Sequence, residues 1–133
     1  KAEYTLPGIS QSVVITRMAG RTPVPEKESI RSFAAHQATM VLFLSTGMLE
    51  KLSEELVAGG YQEETPAAIV YKATWPEEKV MHCTVGTLAE TAEREKVTKT
   101  ALIVVGNVLN TEYERSKLYD PAFTTEFRKG KEV

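Results

Sequence analysis

Two arginines near the N-terminus, Arg17 and Arg21, carry side chains suited to binding an acidic ligand in this chain of 133 residues. A planar guanidinium binds a carboxylate through two parallel hydrogen bonds. Both arginines follow a run rich in β-branched residues, so we expect them beside the carboxyl end of a strand. They are candidates to hold a substrate carboxylate. The alternative is a solvated arginine, or a structural pair with Glu26 or Glu28.

Two other segments end a hydrophobic strand abruptly at small or polar residues. The first is Leu44-Ser45, and the second is Ala73-Thr74-Trp75. In open α/β sheets, ligands bind beyond the carboxyl ends of the strands. The methyl side chain of Ala73 would let a flat ring approach the backbone, and Trp75 offers a large surface for stacking. The alternatives are a core leucine, a small residue at a turn and a tryptophan packed under that turn.

The histidines and the cysteine do not form a metal-binding pattern. His82 and Cys83 are neighbours in a predicted strand, where adjacent side chains point to opposite faces. We therefore predict no metal site for His36, His82 and Cys83. The sequence also lacks a Walker loop, an HExxH helix and a CxxC pair.

Composition indicates an ordinary globular domain. Apolar residues make up 42% and charged residues 26% of the chain, and the length suits a single domain. A formal net charge of -2 argues against a nucleic-acid partner, which usually needs a basic face. The sequence contains no apolar run of about 18 residues, so we predict no membrane span. The single cysteine excludes an intramolecular disulfide and favours a reducing, cytoplasmic location.

Alternating strand and helix patterns must position the candidate residues. Strands are predicted over 11–18, 39–44, 66–71, 79–85 and 100–109, and helices over 26–36, 46–60 and 88–95. The nearly continuous apolar run of 39–44 is typical of a strand covered on both faces. The interval after Tyr71 is short enough for a hairpin-like turn, which makes the sheet mixed. We therefore predict an α/β fold, a single mixed five-stranded sheet flanked by helices, over residues 1–110, with a C-terminal tail over 111–133.

These segments together resemble the tetrapyrrole methyltransferase family. The resemblance rests on residues 16–26, 42–45 and 70–79, and the match runs from about Leu6 to Leu109. Within the family the chain looks most like the enzymes that methylate C11 of cobalt-precorrin-4. The match covers only the second half of that family's chain, and this chain begins at Lys1 rather than at methionine. We therefore expect a C-terminal domain whose N-terminal domain is missing.

The resemblance implies transfer of a methyl group from S-adenosyl-L-methionine, with S-adenosyl-L-homocysteine as product, during anaerobic cobalamin synthesis. It implies a tetrapyrrole substrate bound between two domains, and a homodimer. Such a transfer needs alignment of donor and acceptor more than a nucleophilic side chain, and the catalytic residues stay unassigned. The resemblance places cofactor contacts, largely through the backbone, at Leu44 and Ala73, and their position at the strand ends adds Ser45 and Thr74. Contacts with the substrate carboxylates and ring are expected at Arg17, Arg21 and Trp75.

Two alternatives stay open. The acceptor could be precorrin-4, another precorrin or uroporphyrinogen III, although related uroporphyrinogen methyltransferases often carry methionine and glycine where this chain has Leu44 and Ala73. The chain could instead be a non-catalytic dimerisation module, and exposed apolar surface would favour that interpretation. Cofactor binding separates the module from the enzyme. In the enzyme interpretation, this chain alone is expected to bind cofactor weakly and to be inactive.

Overall fold

Five strands form one sheet in the computed structural model, which describes residues 3–44, 46–99 and 101–109. They are β1 Val13–Arg17, β2 Thr39–Leu44, β3 Pro66–Tyr71, β4 Lys79–Thr84 and β5 Ala101–Val105. Their order across the sheet is β1-β2-β5-β3-β4. The β1–β2 pair is parallel and the other three pairs are antiparallel. The predicted α/β fold with a mixed five-stranded sheet is confirmed. Residues 111–133, the predicted tail, lie outside the described residues.

The direction of the strands brings three strand ends to one edge of the sheet. Because β5 is antiparallel to both β2 and β3, those two strands point the same way. The carboxyl ends of β1, β2 and β3 therefore lie at a common edge, and the beginning of β5 lies between β2 and β3. The pairs Leu44–Ala101 and Tyr71–Lys79 mark this edge, which we call the carboxyl edge.

Three α-helices in the described part of the chain cover one face of the sheet. They are α1 Ile30–Ala34, α2 Leu49–Gly59 and α3 Leu88–Arg94. Residues that alternate along the strands point towards these helices and form the core with them. Its fully buried members include Met40, Leu42, Ile69 and Ile103 from the sheet and Leu49, Leu52, Leu56 and Leu88 from the helices. Burial of this apolar area, at about 25 cal/mol per Å², supplies the main stabilisation of the fold.

The predicted helix over 26–36 is divided in two. A 3-10 turn over Glu26–Glu28 is followed by Ser29, whose backbone is extended, with φ −65° and ψ 157°. The hydroxyl of Ser29 accepts a hydrogen bond from the amide of Ser32 at 3.1 Å, which caps α1. Glycine ends α2 as predicted, since Gly60 has φ +140°.

Helices α1 and α2 pack closely against each other at Gly59. A Cβ atom at this position would overlap the carbonyl oxygen of Arg31 and the side chain of Ala34. Both of those residues belong to α1. The absence of a side chain at Gly59 therefore sets the distance between the two helices.

The opposite face of the sheet is covered only in part. At the beginning of β2, the hydroxyl of Thr39 donates a hydrogen bond to the carbonyl of Tyr4 at 2.7 Å, which attaches the N-terminal segment to this face. Elsewhere Ile15, Phe43 and Val80 are 67%, 56% and 50% exposed. The expectation that the strand over 39–44 is covered on both faces is therefore wrong at Phe43, because no helix packs over that position among the described residues.

Tyr61 makes the stability of the domain depend on pH in the alkaline range. Its side chain is buried, its hydroxyl donates a hydrogen bond to the carbonyl of Ala38, and burial raises its pKa from 10.0 to about 12. The stability contributed by the protonated phenol is fully present below pH 10 and is lost between pH 10 and 12, where only the unfolded chain ionises. A shift of this size corresponds to about 2.7 kcal/mol at most.

We expect the Tyr61→Phe variant to lose this alkaline decrease in the free energy of unfolding. Urea titrations at pH 8 and pH 11 measure it. Tyr4→Phe is the control, since the ring of Tyr4 is 63% exposed. Equal pH dependence in the two variants would contradict the assignment to Tyr61.

Candidate functional site

The loops that follow β1, β2 and β3 lie at the carboxyl edge. The first two are neighbours, since a Cβ atom on Gly20 would lie 3.9 Å from the terminal methyl group of Met48. The third is the β3–β4 turn over residues 72–78. The predicted ligand-binding segments therefore share one edge, as the strand directions require.

Arg17 and Arg21 have different surroundings in the loop after β1. The guanidinium of Arg17 donates hydrogen bonds to the carbonyls of Met18 at 3.4 Å, Thr22 at 3.2 Å and Pro23 at 3.4 Å. These bonds fold the loop around the arginine. Arg21 lies within the same loop and is exposed. The loop therefore presents the guanidinium of Arg21 to solvent, while that of Arg17 organises the backbone.

Leu44, at the end of β2, has a buried side chain. Its side chain is 7% exposed and belongs to the core beneath the helices. Any contact between Leu44 and a ligand at the edge would therefore use backbone atoms, in agreement with what the family resemblance implies. Ser45, the other predicted contact here, lies outside the described residues.

The β3–β4 turn presents small and aromatic side chains to solvent. Ala73 and Thr74 are exposed, and Trp75 is 62% exposed, so the tryptophan does not pack beneath its turn. The amide of Trp75 donates a hydrogen bond to the carbonyl of Lys72 at 3.0 Å. The ammonium of Lys72 lies 5.9 Å from the indole ring and 5.5 Å from the ring of Tyr71. This cation-π geometry holds the indole at the edge.

The same turn contains backbone strain that the sequence did not indicate. Lys72 has φ +49° and Thr74 has φ +71°. Positive φ is uncommon outside glycine and is an outlier for a β-branched residue such as threonine. Strained residues of this kind cluster at ligand-binding and catalytic sites. The amide of Thr74 donates a hydrogen bond to the carboxylate of Glu78 at 3.1 Å. Glu78 is not among the site residues predicted from the sequence. The sequence signal for it is an acidic side chain at the end of a short turn, directly before a strand.

The candidate residues lie along a line and do not form a compact cluster. Leu44 ends β2 and Ala73 follows β3, and these two strands are separated by β5, which places the two residues roughly 10 Å apart across two strand spacings. The loop that carries Arg21 lies on the far side of β2. A ligand that touched all three places would be elongated and would cross the start of β5.

His82 and Cys83 point to opposite faces of the sheet, as predicted. His82 is exposed, while Cys83 is half-buried and packs against the core. Burial raises the pKa of the Cys83 thiol, which keeps it protonated at neutral pH. Within residues 3–44, 46–99 and 101–109, His, Cys, Asp and Glu side chains form no group of three able to hold a metal ion.

None of the helices in the described part of the chain is both long enough and apolar enough to cross a bilayer.

Comparison with known proteins places these features in a family. The profile of the family described as Tetrapyrrole (Corrin/Porphyrin) Methylases matches residues 1–89. The chain is 53% identical over 130 residues to the cobalt-precorrin-4 C(11)-methyltransferase of Methanocaldococcus jannaschii, covering 97% of this chain and 50% of that protein. It is 40% identical over 128 residues to the precorrin-4 C(11)-methyltransferase of Sinorhizobium sp, covering 95% of this chain and 50% of that protein. The chain therefore spans about half the length of these curated relatives.

Solved structures share the fold described above. An X-ray structure of cobalt precorrin-4 methyltransferase, a cobalamin biosynthetic enzyme, matches with a TM-score of 0.78 and 42% identity over 82% of this chain and 46% of that one. The uroporphyrin-III C-methyl transferase of Thermus thermophilus, in complex with S-adenyl homocysteine, shares the fold with a TM-score of 0.64 and 23% identity over 86% of this chain and 48% of that one. From its sheet, its edge loops and the matched profile, this chain belongs to the tetrapyrrole methylase family.

Proposed function

We propose that this chain is the C-terminal half of a cytoplasmic, S-adenosyl-L-methionine-dependent methyltransferase that methylates C11 of cobalt-precorrin-4 in anaerobic cobalamin synthesis. The observation that carries this proposal is the 53% identity, over 97% of this chain, to a relative of that name. A relative named for precorrin-4 is 40% identical, so the metal-free precorrin is the second candidate acceptor. An assay of the whole protein with cobalt-loaded and with metal-free precorrin-4 separates the two.

The proposed cofactor half-site is the middle of the carboxyl edge. The exposed Ala73 and Thr74 leave space for a ring against the backbone, and Leu44 offers backbone atoms on the other side of β5. The elongated shape that these positions require suits a nucleoside joined to an amino acid. When bound, the cofactor supplies an activated methyl group on a sulfonium sulfur.

In this proposal the residues of the chain bind and align, and they transfer no proton. The exposed guanidinium of Arg21 binds a carboxylate of the tetrapyrrole, and Trp75 provides an apolar surface for its ring. Arg17 keeps the loop that carries Arg21 in its folded shape. A preceding domain of the same protein would close the cleft and complete both binding sites, which accounts for the weak binding expected of this chain alone. Alignment of this kind lowers the entropic part of the barrier to displacement at carbon.

An NMR titration of the amide resonances of this chain with S-adenosyl-L-homocysteine tests the proposed half-site. We expect saturable shifts centred on Leu44, Ser45, Ala73 and Thr74. Saturable shifts confined to another part of the chain, for example a surface groove beside α2 that Glu50, Ser53 and Glu63 line, would contradict the site assignment. The absence of shifts up to millimolar ligand would contradict cofactor binding by this half and favour the dimerisation module.

We propose further that the protein is a homodimer in which the exposed apolar face of the sheet contributes to the interface. Ile15, Phe43 and Val80 support this, because three large apolar side chains on one sheet face are costly to leave in water. Phe43→Glu is expected to weaken self-association at least tenfold, measured by sedimentation equilibrium, since a charge would be buried in the contact. Glu50→Lys, on the exposed helical surface, is the control. Equal association of the two variants would contradict the use of this face.

A further inference from the structure

Two non-glycine residues with positive φ flank Ala73 in the β3–β4 turn. Lys72 has φ +49° and Thr74 has φ +71°. A chain segment adopts such values only when neighbouring contacts hold it there. Both residues belong to the stretch that would face the cofactor in the proposed site. The contacts that stabilise their conformation therefore also set the orientation of the backbone at Ala73.

The carboxylate of Glu78 is positioned to stabilise this conformation. It accepts a hydrogen bond from the amide of Thr74, the second of the two residues with positive φ, at 3.1 Å. The amide of Glu78 itself donates to the carbonyl of Trp75 at 2.9 Å, so this residue closes the turn twice. A hydrogen bond from an amide to an ionised carboxylate is stronger than one between neutral groups.

Glu78 is itself attached to a rigid part of the fold. The next residue, Lys79, begins β4 and pairs with Tyr71 at the end of β3. The ammonium of Lys79 also lies 2.8 Å from the carboxylate of Glu95, just beyond α3. This ion pair lowers the pKa of Glu95, chiefly through the hydrogen bond from Lys79. The backbone of Glu78 is therefore anchored next to the sheet, independently of any ligand.

We propose that Glu78 is a positioning residue that holds the turn over 72–75 in the strained conformation which presents Ala73 to the cofactor. Its cofactor-related part rests on the proposed function. Without the carboxylate, the amide of Thr74 loses its acceptor and the turn relaxes towards negative φ. The cofactor would then have to restore the conformation when it binds, which lowers its affinity.

Three single variants of this chain test the proposal: Glu78→Ala, Glu78→Gln and Glu77→Ala. Hydrogen exchange of the Thr74 amide, measured by NMR without ligand, reports on the turn. Titration with S-adenosyl-L-homocysteine reports on binding. We expect Glu78→Ala to accelerate Thr74 exchange and to weaken binding about tenfold each, as the loss of a hydrogen bond to a charged group predicts. Glu78→Gln keeps an acceptor oxygen, so its Thr74 exchange rate and its affinity should stay close to those of the wild type. Glu77→Ala should change neither the exchange rate nor the affinity.

The possible failures are distinguishable. Unchanged Thr74 exchange in Glu78→Ala would overturn the positioning role, whatever the ligand does. Accelerated exchange with unchanged affinity would overturn the link between the turn and the cofactor. A wild-type chain that binds no S-adenosyl-L-homocysteine would overturn the proposed half-site and with it that link, while the exchange data would still decide whether Glu78 holds the turn.

Discussion

Replacement of Gly59 by alanine is expected to destabilise this domain by about 3 kcal/mol, as overpacking between rigid elements does. The new methyl group would overlap the carbonyl oxygen of Arg31 and the side chain of Ala34. The carbonyl belongs to the backbone of α1, so relief requires the two helices to separate. Alanine favours a helix over glycine by at most about 1 kcal/mol, and less at the last helical residue, so this gain does not offset the clash.

Urea denaturation followed by circular dichroism measures the free energy of unfolding of Gly59→Ala. Gly47→Ala is the matched control, because among the described residues no heavy atom lies within 4 Å of the position its Cβ would take, the chain neighbours apart. We expect the control to differ from wild type by less than about 0.5 kcal/mol. Equal stability of the two variants would mean that α1 and α2 do not approach as closely as described.

Ala73→Leu is expected to weaken the affinity for S-adenosyl-L-homocysteine by about 30- to 100-fold while leaving the stability of the domain nearly unchanged. Ala73 is exposed, so a larger side chain meets no protein atoms that it must displace. In the proposed site the leucine would occupy the space of the bound ring. A clash of this kind costs about 2 to 3 kcal/mol, and every 1.4 kcal/mol is tenfold in affinity.

Isothermal titration and thermal unfolding of Ala73→Leu measure the two quantities. Ala58→Leu, an exposed position on the outer side of α2, controls for the added apolar surface. If Ala73→Leu binds as tightly as Ala58→Leu, the ring does not lie against this turn. If it unfolds several degrees earlier than the control, the turn has packing that the described contacts do not include.

Much of the fold could be predicted from the sequence, because burial on one sheet face leaves a pattern in each strand. The boundaries depended on interactions that this pattern does not contain. Ser29 interrupts the predicted helix by capping α1, and the apolar positions that predict the helix, Ile30, Phe33 and Ala34, all lie after it. The last strand is predicted to run to 109, but β5 ends at Val105. Gly106 lies just after it, with φ +148°, and a Cβ there would be 3.3 Å from the Cα of Thr39. The predicted end of that strand is therefore wrong.

The site could be predicted only where residue type decides the role. The small side chain of Ala73 and the exposed backbone around it follow from the sequence of a strand end. The different surroundings of Arg17 and Arg21 do not, because both carry the same guanidinium and only the folded loop brings three carbonyls to Arg17. The bond from Thr74 to Glu78 likewise could not be predicted. It forms in a turn where Lys72 and Thr74 have positive φ, and neither lysine nor threonine favours such values.

The position of β5 has a consequence for how the protein is made. The last of the five strands in the described part of the chain is the middle strand of the sheet, and β2 and β3 share no backbone pairing until it lies between them. During synthesis, β1 and β2 leave the ribosome as one pair and the β3–β4 hairpin as another. The pairs become one sheet only after residues 101–105 emerge. The carboxyl edge, whose two sides those pairs carry, therefore cannot form before β5 has been synthesised, and a chain that ends before Ala101 lacks it.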